Sequence, residues 1–83
     1  MGSLWVRCRG GHLPSGATQG GADRGGAIYV ARAHHLGSLI PGKFHSTYKR
    51  TFISYGGKEH STTDYEVFVG AKSNKELNGK NSI

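Results

Sequence analysis

The 83-residue sequence holds one cysteine, two prolines and five acidic residues. A single thiol, Cys8, excludes an intrachain disulfide, so a thin core is not stapled by bridges as in small secreted domains. Cys8 stands in an apolar–polar alternation and reads as a buried structural thiol. The carboxylates are Asp23, Glu59, Asp64, Glu66 and Glu76. They offer little for paired acid–base work, and no nucleophile elbow surrounds the serines, so no enzymatic activity is expected. His12, His34, His35, His45 and His60 show no zinc-finger or metalloprotease spacing, and neither a metal nor another cofactor is expected. Long apolar runs are missing too. No stretch approaches membrane-spanning length, and the opening residues lack the apolar run of a signal peptide. Val6 stands where a myristoylation motif wants Ser or Thr. Cytoplasmic residence without membrane insertion is the expectation.

What the chain does have is glycine, 14 residues, and a formal charge of +6. A domain of this length buries only about 60% of the surface its unfolded chain exposes. Dense glycine adds to the entropy lost on folding. Such a chain is expected to lean on a partner surface. The positive charges are scattered, with only Lys49 and Arg50 adjacent, so they read as solvated charge and no nucleic-acid partner is expected.

Period-two alternation predicts strands. Leu4 to Arg9 places Leu4, Val6 and Cys8 opposite Trp5, Arg7 and Arg9. Ala27 to Ala33 places Ile28, Val30 and Arg32 opposite Tyr29, Ala31 and Ala33. Thr51 to Tyr55 is β-branched and aromatic and runs into the turn pair Gly56-Gly57. Tyr65 to Val69 alternates again. Between the first two strands, residues 10–26 read as a long glycine-rich connection. Pro41-Gly42 reads as a turn, with Lys43 just beyond it and a short strand opening at Phe44. Residues 71–83 read as a polar flexible tail. The fold class is therefore all-β: a small antiparallel fold of short strands with Gly-rich turns, over residues 4–70.

Gly37 to Lys43 fits the first seven positions of a phosphate-binding loop. The eighth, which should hold magnesium through a hydroxyl, is Phe44, and no helix follows, so nucleotide binding is set aside. What remains is a polar constellation: Asp23 in the glycine-rich stretch, Lys43 after Pro41-Gly42, and Lys58, Glu59 and His60 after Gly56-Gly57. Carboxylate acceptors beside ammonium donors suit the vicinal hydroxyls of a sugar, each of which donates and accepts. Salt bridges from Lys43 and Glu59 that pin the turns would use the same residues. Their chemistry alone leaves both readings open.

Several motifs in order then carry a resemblance. They are Trp5, Gly11 to Pro14, Ala17, Gly20-Gly21, Asp23, Ile28 to Ala33, Gly37 to Lys43, Tyr55 to His60, and Tyr65 to Val67. Together they closely resemble the DM-nine repeat family of natterin-like lectin modules. The resemblance implies an antiparallel β-fold that usually pairs two repeats about a pseudo-two-fold axis, of which one repeat is visible in this sequence. It implies a mannose-binding, lectin-like function linked to innate recognition of microbes. With one repeat visible, the chain either dimerises to rebuild the two-repeat arrangement or is a fragment, and the thin core favours the homodimer. It assigns Asp23 and Lys43 as sugar contacts, with Glu59 as a third, weaker candidate. The alternative function is a ligand-free interaction or structural module, or a fragment of a larger pattern-recognition protein.

Overall fold

Seven strands make up the computed structural model, which describes residues 4–70. They are β1 (Leu4–Arg9), β2 (Gln19–Asp23), β3 (Gly26–His35), β4 (Ser38–His45), β5 (Arg50–Tyr55), β6 (Lys58–Thr62) and β7 (Asp64–Val69). All pairings are antiparallel, in the order β1-β7-β3-β4-β5-β6, with β2 set beside β3. The expected all-β class of short antiparallel strands is what the structure shows. The tail expected over 71–83 lies outside the described residues.

The hub is β3. Along one side it pairs with β4 from Ile28↔His45 to His35↔Ser38. Its other side is shared: β2 takes Gly26 to Tyr29, and β7 takes Ala31 and Arg32. The chain threads between those two partners at Thr18. The Thr18 amide donates to the Phe68 carbonyl (2.9 Å), and its own carbonyl accepts from Val30 (3.0 Å).

The alternation sorts the faces. Cys8, Ala31, Ala33, Phe44, Ile53, Tyr65 and Val67 form the buried core, with Leu13, Ala17, Tyr29 and Ile40 packed on it. The two alanines on β3 leave room for the Phe44 and Tyr65 rings, whose centroids lie 5.1 Å apart. Burying a side chain of that size stabilises by about 1.5–3 kcal/mol. The Tyr65 hydroxyl donates to the His12 carbonyl (2.7 Å) and ties the connection after β1 onto the core. Cys8 is buried as expected, and burial pushes its thiol up, which keeps it unreactive.

On the opposite face, the Arg7 guanidinium makes a two-bond fork to Asp64 (3.0 Å each), and Arg32 bonds Glu66 (2.6 Å). These pairs are solvated to differing degrees, and solvent screening keeps each of them weak. Trp5 lies on this face against Phe68, centroids 4.9 Å apart, with the Arg32 guanidinium 4.0 Å above its ring.

Two expectations are corrected. The connection over 10–26 is not free of regular structure, because β2 lies inside it and is stitched to β3 around a bulge between Gln19 and Gly21. Nor is Pro41-Gly42 a turn: both residues lie within β4. The reversal falls earlier, at Leu36 (φ 49°) and Gly37 (φ 83°), a two-residue hairpin between His35 and Ser38. Proline is tolerated in β4 because β5 pairs with it only from Gly42 to His45, so Pro41 has one partner strand instead of two. The Gly56-Gly57 turn does form as read, with φ of 62° and 77°.

Candidate functional site

Because β4 is a continuous strand, its residues alternate strictly: Gly42 and Phe44 face the core, while Lys43 and His45 face outward. Lys43 thus stands mid-strand on a rigid sheet, opposite Val30 on β3 and Phe52 on β5. Glycine at 42 is obligatory. A Cβ there would lie 2.4 Å from the Phe52 carbonyl oxygen and 2.7 Å from Ile53 Cγ2.

On this outward face Asp23, Ile28, Lys43, His45, Tyr48, Phe52 and Glu59 line a cleft of about 200 Å³. The three residues singled out from the sequence, Asp23 at the end of β2, Lys43 on β4 and Glu59 on β6, therefore share one cleft. They reach it from three strands far apart in sequence.

Asp23 is held firmly. One carboxylate oxygen, Oδ1, accepts from the Gly25 amide (2.7 Å), and Oδ2 accepts from His45 Nε2 (3.0 Å). An ionised carboxylate only accepts, so the ring carries its proton on Nε2. The Gly25 amide first, and then the His45 ring and the Lys43 charge, hold the Asp23 carboxyl below its ordinary range. His45 is largely enclosed, its Nδ1 buried without a partner. A Cβ on Gly25 would stand 2.6 Å from His45 Cε1, so glycine there is what lets the ring reach Asp23. Half of the Asp23 side chain stays exposed, and each oxygen keeps a lone pair free to accept again.

Lys43 and Glu59 behave differently. Among the described residues the ion pairs are Arg7–Asp64, Arg32–Glu66 and Asp23–His45, and neither Lys43 nor Glu59 takes part in one. Among the described residues, then, neither of them pins a turn through a salt bridge. Both are exposed charges whose hydrogen-bonding capacity is open toward the cleft.

Ile28 was not anticipated as a lining residue, and neither were His45, Tyr48 and Phe52. The three rings pack together, His45 4.9 Å from Tyr48 and 5.8 Å from Phe52. The signal for His45 was present in the sequence, two positions beyond Lys43 and hence on the same face of a strand. It is visible only once 38–45 is read as a strand. Elsewhere, His35 stacks against His60 (4.3 Å) at the far end of the sheet. Among the described residues no three His, Cys, Asp or Glu side chains gather as metal ligands would.

A comparison with known families finds a match to the DM9 repeat over residues 22–79, more than two-thirds of the sequence. The matched stretch contains Asp23, Lys43 and Glu59 and omits β1 and most of β2. No curated protein matches the chain.

Proposed function

The chain belongs to the DM9 repeat family, and from that premise we propose that it is a non-enzymatic, mannose-type carbohydrate-binding module. One observation carries the reading: an acceptor (Asp23), a donor (Lys43) and a second acceptor (Glu59) share one cleft, with no ion partner for Lys43 or Glu59 among the described residues. A hexose presents neighbouring hydroxyls that each donate and accept, and bonds with one charged partner are the stronger kind. In this reading Asp23, pre-oriented by Gly25 and His45, accepts from one hydroxyl of a vicinal pair. Lys43 donates to the other, and Glu59 accepts from a third group or orients the lysine.

The same reading includes recognition of microbial glycans by a cytoplasmic, homodimeric protein. Leu4, Val30, Leu36 and Leu39 are apolar side chains exposed on the isolated chain, and a second copy would cover part of them. Among the described residues no helix is long and apolar enough to cross a membrane.

Calorimetric titration with mannose tests the proposal. The wild type is expected to bind, with an affinity that changes little between low and moderate salt. A hydrogen bond to a charged group contributes about 1.5–3 kcal/mol, so Asp23→Ala and Lys43→Ala should each weaken binding by roughly tenfold or more. Unchanged affinity in both variants would remove the residue assignment, and no binding by the wild type would remove the function.

A further inference from the structure

Among the described residues, the only exposed large aromatic is Tyr48, with 58% of its surface open to solvent. It lies in the turn between β4 and β5, which is pinned at both ends. The Ser46 amide donates to the Ala27 carbonyl (3.1 Å), and the Lys49 amide, at φ 56°, donates to the His45 carbonyl (2.7 Å). The Tyr48 ring is also fixed, 4.9 Å from His45 and 6.0 Å from Phe52 at an interplanar angle of 75°. It is an apolar plane held in place and left uncovered.

Its position gives that plane a use. Beside the cleft lies a shallower hollow of about 360 Å³, lined by Asp23, Arg24, Gly25, His45 and Tyr48. The two depressions share Asp23, His45 and Tyr48, so they adjoin across the tyrosine. At about 200 Å³ the cleft falls below the ~300 Å³ at which pockets for drug-sized ligands begin. It has room for a single sugar ring. A pyranose has a rim of hydroxyls and a face of C–H groups. Asp23, Lys43 and Glu59 answer the rim, while an aromatic side chain with few rotatable bonds answers the face at low entropic cost.

We propose that Tyr48 is the stacking platform of this site and that the ligand crosses it. One hexose lies in the cleft and a linked second hexose lies in the hollow beside Arg24, so the site selects glycans of two or more units over the free monosaccharide. This inference rests on the carbohydrate reading above.

The test titrates the full chain, as wild type, Tyr48→Phe and Tyr48→Ala, with mannose and with an α-linked mannose disaccharide. Wild type and Tyr48→Phe, which keeps the ring, should bind the disaccharide about tenfold more tightly than mannose. Tyr48→Ala should bind both sugars weakly and equally. An exposed turn side chain leaves the fold intact when truncated, which an unchanged thermal midpoint verifies. Equal affinities for the two sugars in the wild type would overturn the inference while leaving the carbohydrate reading in place. So would a disaccharide advantage that survives Tyr48→Ala. Absence of any sugar binding by the wild type would overturn both.

Discussion

Gly42→Ala puts the central strand contact of the site under direct strain. The added methyl would sit 2.4 Å from the Phe52 carbonyl oxygen, 2.7 Å from Ile53 Cγ2 and 3.2 Å from the Phe52 carbonyl carbon. Ordinary carbon contacts are about 3.5–4.0 Å, so β5 must retreat by roughly an ångström. The nearest obstacle is backbone, which cannot swing aside as a flexible side chain would. Overpacking of this kind costs about 1–3 kcal/mol. The retreat also loosens the pairing of Gly42 with Ile53, where each hydrogen bond contributes about 0.5–1.5 kcal/mol. The expected loss is therefore about 2–4 kcal/mol, a large share of the 5–15 kcal/mol available to a typical domain. Urea denaturation followed through Trp5 fluorescence measures it. At about 1 kcal/mol per molar, the low end for a small protein, the midpoint should fall by about 2 M or more with little change in slope. Because Phe52 faces Lys43 across the same ladder, the proposed sugar binding should weaken alongside. A variant within about 0.5 kcal/mol of wild type, the range of ordinary surface changes, would refute the claim that β4 and β5 are packed backbone to backbone at this point.

Two further outcomes follow. Tyr65→Phe removes the hydroxyl that donates to the His12 carbonyl. It should cost about 1 kcal/mol and lower the thermal midpoint by about 4–8 °C, and an unchanged midpoint would mean that the connection after β1 is not held by this bond. Asp23 and Asp64 both have folded-state carboxyls below their ordinary value of 3.8, the first chiefly through the Gly25 amide and the second chiefly through the Arg7 fork. Each binds fewer protons folded than unfolded, so its stabilising contribution is complete above the ordinary value and is lost as pH falls through the lowered one. Stability should decline on acidification below about pH 4, and the acid limb should flatten in Asp23→Asn and in Asp64→Asn, as denaturation midpoints across pH would record.

Where side chains alternate, the sequence spoke clearly. β1, β3, β5 and β7 each place one set of apolar residues against the core, and period two is enough to see them. The Gly56-Gly57 turn was equally plain, because paired glycines at positive φ have few other uses. β2 was hidden for the opposite reason. Gln19 to Asp23 is exposed throughout and carries no large apolar side chain, so it shows no alternation, and its strand character comes from its partner β3. β4 misled through Pro41-Gly42, a pair that normally favours a turn. Here the proline occupies a stretch flanked on one side only, and the glycine answers a steric demand from β5 that no local pattern reveals. The true reversal used Leu36 at positive φ, which a β-carbon makes uncommon. Asp23, Lys43 and Glu59 could be named from chemistry and resemblance. That they meet in one cleft depends on sheet order, and the aromatic part of its lining depends on the register of β4 against β5.

The pairing of β1 with β7 sets Leu4 directly across from Val69. Among the described residues the first and last strands are therefore neighbours, with partner residues about 5 Å apart as in any antiparallel ladder. A fold whose two ends meet in this way is a cassette. With its ends side by side, it could be carried as a unit in a loop of a host protein through short links. The cleft, built from β2 to β6, would travel with it unchanged.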